Sequence, residues 1–200
     1  MKMSAYLFFI ILLGIVAGYV IFPDKLVNYL DLMINIVLFA TLFIVGVGIG
    51  QNKRIFLELK KIGGKIILLP MGTIIGSLMG GAVAGFLLGR SLFLSLAISS
   101  GFGWYSISAG LLFQTKGIEA SAIGFLANVF REILAFLLIP VVAKKVSAYA
   151  AVSIGGATSM DTTLPVISRS AGEKYVLVSF IHGSLLSILV PFLVELFGRM

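Results

Sequence analysis

Two segments rich in glycine and hydroxyl side chains interrupt long apolar runs in this chain. They are residues 99–110 (SSGFGWYSISAG) and residues 153–165 (SIGGATSMDTTLP). In lipid, non-helical backbone survives only where it is buried in protein or lines a water-filled cavity, because its polar groups must be satisfied there. Two glycine-interrupted hydrophobic segments are typical of the binding site of a secondary transporter. The alternative interpretation is that both segments are ordinary polar loops.

The composition places the chain in a lipid environment. Hydrophobic residues make up 60% of its 200 residues, charged residues make up only 12%, and the mean hydropathy is +1.14. Soluble domains contain about 25% charged residues. We therefore predict an all-α integral membrane protein with six or seven transmembrane segments of about 20 residues each. The absence of cysteine excludes disulfides and thiol catalysis, and a single histidine excludes a histidine metal cluster.

Apolar runs and their breaks divide residues 1–200, which we predict to form one membrane domain, into seven segments. These segments are residues 4–22, 30–50, 66–89, 92–114, 118–143, 148–168 and 175–197. The two broken segments are residues 92–114 and 148–168. The second of them either crosses the membrane as a discontinuous helix, which gives seven spans, or returns as a re-entrant hairpin, which gives six.

Basic residues set the predicted orientation. The connection at residues 51–65 carries five cationic residues against one acid, so the positive-inside rule places it in the cytoplasm. In the seven-span arrangement Lys116 then lies inside, whereas Arg90, Lys144 and Lys145 lie outside. We expect a multi-pass protein of the cytoplasmic membrane, whose formal charge of +7 reflects topology rather than nucleic-acid binding.

Glycines recur at every fourth position in the third predicted span. They occupy positions 72, 76 and 80, and again positions 81, 85 and 89. This spacing forms a groove along a helix, which lets a second helix approach closely. We favour packing within the chain over a dimer interface.

Three polar residues lie near the centre of the fifth predicted span. Arg131 and Glu132 are adjacent there, and Asn128 precedes them by one turn. A charge at mid-membrane costs about 2.5–3.5 kcal/mol on insertion scales, so a functional role is the default hypothesis. Adjacent helical residues diverge by about 100 degrees, so we expect the two charges to have separate partners. For Arg131 we predict Asp161 or the carboxylate of a ligand; the alternative is a buried ion pair that only ties helices together.

These motifs together resemble the LysO-type lysine exporter family. The matching stretches are residues 100–108 (SGFGWYSIS), 128–132 (NVFRE), 155–165 (GGATSMDTTLP) and 182–191 (HGSLLSILVP), in the order and spacing of the C-terminal half of that family. Some members carry an aspartate where Val129 stands here. Many members begin with further N-terminal spans that contribute another membrane-embedded acid. The resemblance therefore implies a homo-oligomer, or a complex with a small membrane partner that supplies those spans.

The resemblance and the residue chemistry imply export of L-lysine, with related basic amino acids as further substrates. Glu132 and Asp161 are candidates for binding ammonium groups. Arg131 and backbone amides freed between Gly155 and Ser159 are candidates for binding the carboxylate, because helix N-termini favour anions. Aromatic rings next to the first break suit either a cation–π contact or an interfacial belt. The predicted binding residues are Asn128, Arg131, Glu132, Asp161, Trp104, Tyr105, Ser106, Gly155, Thr158, Ser159, Thr162 and His182.

Ion coupling is predicted from the membrane potential. Exporting a cation against an inside-negative potential costs about 2.3 kcal/mol per charge per 100 mV. A buried carboxylate that binds either a proton or the substrate ammonium is the minimal antiport device. Sodium is the alternative coupling ion, because hydroxyls and carbonyls at this break are hard oxygen donors, namely those near Thr158, Ser159, Thr162 and Thr163. His182 suits either a proton relay or an interhelical hydrogen bond.

Two other classes of function remain. An intramembrane enzyme needs a nucleophile with a base or paired catalytic acids, and no hydrolase pattern surrounds Glu132 and Asp161. A scaffold subunit that does not transport has no need of charged residues at mid-membrane. We therefore expect a transporter without catalytic residues, cofactor or bound metal.

Overall fold

The computed structural model describes residues 67–200 continuously, together with isolated helical positions between residues 13 and 51. Apart from those positions, the first two predicted spans and the basic connection lie outside the described residues. Chain contacts group Met1–Ile44 and Val45–Met200 into two units, and the description below concerns the second. Residues 67–200 contain helices and no strand, so the all-α prediction is confirmed for them.

Six α-helices and two 3₁₀ helices follow one another in this part of the chain. They are α1 (Leu68–Leu87), α2 (Leu92–Ser99), α3 (Tyr105–Lys145), α4 (Ala148–Gly155), a 3₁₀ helix (Gly156–Met160), α5 (Leu164–Ala171), a 3₁₀ turn (Glu173–Tyr175) and α6 (Val176–Arg199). Three stretches are long and apolar enough to cross a membrane, namely Leu68–Leu87, Tyr105–Lys145 and Glu173–Arg199. The number of spans in the whole chain stays a prediction.

Helix α3 is two helices joined at Gly117. Its 41 residues would extend about 60 Å if straight, which is twice the thickness of a hydrocarbon core. Gly117 has φ 83° and ψ −175°, a conformation that favours glycine. Across this break the Ser121 hydroxyl donates a hydrogen bond to the Ala109 carbonyl at 2.8 Å. Residues 105–116 therefore fold back against residues 118–145.

Residues 92–116 form a first helical hairpin, whose tip is residues 100–104. At its open end the guanidinium of Arg90 contacts the carboxylate of Glu119 at 3.2 Å. Tyr105, next to the tip, stacks edge-on against Phe125 of the second arm of α3. Both helices of the hairpin thus lie along the second arm of α3, from Glu119 at the open end to Phe125 near the tip. The expectation that Arg90 and Lys116 lie on opposite sides of the membrane is wrong, because both lie at this open end.

Residues 148–171 form a second hairpin, whose tip is residues 156–163. Its legs pack against the other end of α3 through a buried cluster of Ala135, Ile139, Ala151, Val152 and Ile167. At its open end the rings of Tyr149 and Tyr175 meet edge to face, with centroids 5.3 Å apart. The seven-span arrangement does not fit this contact, because that arrangement places the two ends of the sixth segment on opposite sides of the membrane.

Helix α1 runs beside both hairpins, and its glycines divide into two groups. A Cβ added to Gly81 or Gly85 would collide with the side chain of Ser99 or Ser95 on α2. These two glycines therefore serve the predicted packing within the chain. At glycines 72, 76 and 80, in contrast, no residue of the described part of the chain lies within 4 Å of an added Cβ.

The side chain of Asn128 fixes the first tip to α3. Its Oδ1 accepts a hydrogen bond from the Gly103 amide at 2.8 Å, and its Nδ2 donates to the carbonyls of Ile98 at 3.1 Å and Gly124 at 2.9 Å. The side chain is only 2% exposed. Buried polar groups require such partners, so Asn128 serves the tip rather than an open binding surface.

We expect Asn128→Leu to destabilise the protein, because the Gly103 amide loses its partner, while the Ile98 carbonyl keeps the Gly101 amide. Each unsatisfied buried group costs about 1–3 kcal/mol. Unfolding by sodium dodecyl sulfate, followed by circular dichroism in mild detergent, measures the loss. Leu126→Ala, at an exposed position of the same helix, is the control, and equal stability of the two variants would contradict this role.

Candidate functional site

The two hairpin tips meet through a backbone hydrogen bond. The Phe102 carbonyl of the first tip accepts from the Ala157 amide of the second at 3.0 Å. Gly156 has φ 61° and no room for a Cβ, which would strike the Phe102 carbonyl and the Arg131 guanidinium. Phe102 is fully buried with φ 46°, a conformation that is uncommon for a bulky residue. The two interruptions noted in the sequence are thus joined directly.

Two carboxylates share one threonine beside these tips. The Thr162 hydroxyl donates to Glu132 Oε1 at 2.5 Å, and the Thr162 amide donates to Asp161 Oδ1 at 2.5 Å. Glu132 and Asp161 are close enough to interact electrostatically, and Tyr105 is near both. Asp161 is exposed on the described part of the chain, whereas Glu132 and Thr162 are half-buried. We call Tyr105, Glu132, Asp161 and Thr162 the acidic face.

The other residues predicted beside the first tip differ in position. Trp104 is half-buried and its carbonyl accepts a hydrogen bond from the Ser108 hydroxyl at 2.7 Å. Ser106 is exposed next to Tyr105. Tyr105 makes an edge-on contact with Phe125 beside the tip. The cation–π role of Trp104 or Tyr105 stays a prediction.

Arg131 contacts other groups than the residues of the acidic face do. Its Nη2 donates to the Ser77 hydroxyl on α1 at 3.3 Å, and its Nη1 is buried without a hydrogen-bond partner in the described part of the chain. The ion pairs within residues 67–200 are Arg90 with Glu119 and Arg199 with Glu195. The predicted pairing of Arg131 with Asp161 is therefore wrong for this structure, because the carboxylate is held by Thr162 instead.

His182 ties α6 to α1 and to the second tip. It is fully buried, with Nε2 at 2.9 Å from the Thr73 hydroxyl and Nδ1 at 2.9 Å from the Ser159 hydroxyl. Both ring nitrogens are thus engaged by hydroxyls and neither by a carboxylate. The geometry favours the interhelical hydrogen bond over the proton relay.

The backbone of the second tip is mostly satisfied within the protein. The Ala157 amide is taken by Phe102, and the amides of Asp161 and Thr163 donate to the Thr158 carbonyl. The Thr158 hydroxyl donates to the Gly155 carbonyl at 2.8 Å. Of the backbone amides between Gly155 and Ser159 that were expected to be free for a carboxylate, that of Ala157 is already used by the first tip.

Three polar or strained positions at this site were missed from the sequence. Phe102, Ser77 and Thr73 contact the tips or the side chains that hold them. The signal for Phe102 was its place between two glycines, and for Ser77 its place among the glycines of the third span. No sequence pattern marked Thr73.

Apolar helices that enclose a polar centre define this chain as a helical integral membrane protein. The chain belongs to the Lysine exporter LysO family, whose model matches residues 8–198. It is 36% identical to "Lysine exporter LysO" of Escherichia coli over 161 residues, which is 80% of this chain and 53% of that protein. A Haemophilus influenzae protein also named for lysine export is 35% identical over 164 residues, 81% of this chain and 82% of that protein.

The chain spans about half the length of the Escherichia coli relative and most of the Haemophilus influenzae one. No solved structure matches it significantly. The family and the apolar helices agree with the resemblance inferred from the sequence motifs. The binding roles of individual residues stay predictions.

We expect Thr162→Val to loosen the second tip, because Glu132 loses the hydroxyl that holds it. Hydrogen bonds to charged groups contribute about 1.5–3 kcal/mol, and half-burial places the loss near the lower value. Backbone amides at residues 156–163 should then exchange with deuterium about tenfold faster, as measured by mass spectrometry. Thr162→Ser keeps the hydroxyl and is the control; exchange in Thr162→Val at the wild-type rate would contradict the assignment.

Proposed function

We propose that this chain is a secondary transporter that exports L-lysine, and related basic amino acids, across the cytoplasmic membrane. The observation that carries the proposal is the acidic face at the meeting point of two hairpin tips. Glu132 and Asp161 supply two negative charges beside backbone that leaves the helical conformation, which is the arrangement by which transporters bind ions near the midplane. Relatives named for lysine export support the substrate.

The proposed membrane arrangement has seven segments, of which the two hairpins are re-entrant. The open end of the second hairpin then lies on the same side of the membrane as the connection before α1. The open end of the first hairpin lies on the other side, with the end of α6. Basic residues on the former side are Lys53, Arg54, Lys60, Lys61, Lys65, Lys144, Lys145, Arg169 and Lys174, against Arg90, Lys116 and Arg199 on the latter. This distribution favours a cytoplasmic location for the former side.

Coupling follows from competition at the acidic face. A substrate ammonium and a coupling ion both require the negative charge of Glu132 or Asp161, so binding of one displaces the other. A proton meets this requirement directly, and sodium would add the hydroxyl oxygens of Thr158 and Thr162 as donors. We propose antiport with one of these two ions, without a resident cofactor.

The acidic face must meet water or another protein surface inside the membrane. Asp161 and Ser106 are exposed on the described part of the chain, and a carboxylate at this depth does not face hydrocarbon. Glycines 72, 76 and 80 of α1 meet no described residue within 4 Å of an added Cβ and suit close packing against another helix. We propose that the working unit is a homo-oligomer or a complex with a small membrane partner.

A scaffold subunit and an intramembrane enzyme are the alternatives. Two carboxylates and a buried guanidinium are costly at mid-membrane, and a scaffold draws no benefit from them. Glu132 and Asp161 are both held by Thr162, and no hydrolase pattern surrounds them in the sequence. The transporter therefore accounts for more of the observed polar groups than either alternative.

We expect inverted membrane vesicles that contain this chain to accumulate labelled L-lysine, and Glu132→Gln to reduce that uptake to background. The amide keeps the shape of the side chain but loses the charge that binds ammonium and coupling ion. Glu119→Gln, at the exposed end of the same helix, is the control for expression and insertion. Wild-type uptake in a well-inserted Glu132→Gln variant would contradict the role of Glu132.

A further inference from the structure

One nitrogen of a buried guanidinium has no partner among the residues that the structure describes. Arg131 Nη2 donates to the Ser77 hydroxyl, whereas Nη1 is buried and meets no acceptor there. Buried polar groups are almost always hydrogen-bonded, and a buried charge without a partner is strongly unfavourable. A buried guanidinium that lacks a partner indicates that an anion binds it in another conformation of the protein.

The unpaired nitrogen lies between the two hairpin tips. A Cβ added to Gly156 would be 2.7 Å from Nη1, and one added to Gly103 would be 3.9 Å from it. Both glycines have positive φ, at 61° and 95°, so each tip turns its backbone past the guanidinium without a side chain. Both tips therefore bring backbone close to Nη1, and they touch each other there, because a Cβ on Gly156 would also strike the Phe102 carbonyl.

The acids nearest in sequence and space do not take this position. Glu132 follows Arg131 on α3, but its carboxylate is bonded to Thr162. Asp161 is bonded to the amide of Thr162 and is exposed. The site thus holds two carboxylates on one side and one guanidinium on the other, with no direct pairing between them.

We propose that Arg131 Nη1 binds the α-carboxylate of the exported amino acid, and that this contact makes a free carboxylate a requirement for transport. The proposal rests on the proposed function. Lysine carries two ammonium groups and one carboxylate, which match Glu132, Asp161 and Arg131 group for group. A diamine of the same length matches only the two acids and leaves the guanidinium unpaired.

Access to Arg131 requires the tips to separate. The hydrogen bond from Ala157 to the Phe102 carbonyl closes the tips beside Gly156. Phe102 holds a left-handed backbone conformation at this contact, and such strain is typical of segments that switch between states. Opening of the Phe102–Ala157 contact would expose Nη1 to a substrate carboxylate.

The test compares competitors of labelled L-lysine uptake into inverted vesicles. Unlabelled lysine, L-lysinamide and cadaverine are applied at equal concentrations to the wild-type protein. We expect lysinamide and cadaverine to compete at least about tenfold more weakly than lysine, because a site built to bind a polar group rejects analogues that lack it. Equal competition by the three compounds would overturn the proposal while leaving lysine export intact.

Variants of Arg131 identify the residue behind the preference. Arg131→Gln should reduce lysine uptake and abolish the difference between lysine and cadaverine, whereas Arg131→Lys keeps a charge and should retain part of it. Arg199→Gln, an exposed arginine paired with Glu195, is the matched control. A retained tenfold preference in Arg131→Gln would overturn the assignment. Absence of lysine uptake by the wild-type chain would instead overturn the proposed function, and this proposal with it.

Discussion

The hydrogen bond between the Phe102 carbonyl and the Ala157 amide is the interaction on which the rest of this structure depends. Each hairpin ends its helices inside an apolar protein, where free backbone groups are costly. By meeting tip to tip, the two hairpins satisfy part of each other's backbone. The same contact brings Tyr105, from the first hairpin, close to Asp161, from the second. The polar site therefore forms because the backbone groups at the interrupted helices need hydrogen-bond partners and find some of them in the opposite tip.

Each tip is also held by a polar side chain of the long helix that follows its hairpin. Asn128 of α3 bonds to the first tip, and His182 of α6 bonds to the second through Ser159. The two hairpins open at opposite ends of the helical unit. This arrangement, in which hairpin and following helix occur twice with opposite direction, is that of the inverted repeats of secondary transporters. It supports the proposed function independently of the lysine-exporter names.

Much of this site could be predicted from the sequence, because polar residues in an apolar chain are conspicuous. The two broken segments and the pair Arg131 and Glu132 were found in this way. The direction of the first broken segment was not, since an apolar run of its length suits a crossing as well as a hairpin. Only the Gly117 turn and the contact of Arg90 with Glu119 decide it. Likewise, no local pattern could reveal that Thr162 would hold both acids or that Phe102 would close the tips.

Cross-linking of cysteine pairs in native membranes tests the opposed hairpins most directly. The chain has no cysteine, so introduced pairs are its only thiols. Arg90→Cys with Glu119→Cys, and Tyr149→Cys with Tyr175→Cys, should each form an intramolecular cross-link with a short bismaleimide, detected by peptide mass spectrometry. Arg90→Cys with Lys144→Cys joins opposite ends and should form none. Failure of both test pairs to cross-link while their single thiols react with maleimide would contradict the hairpins, and with them the site that their tips create.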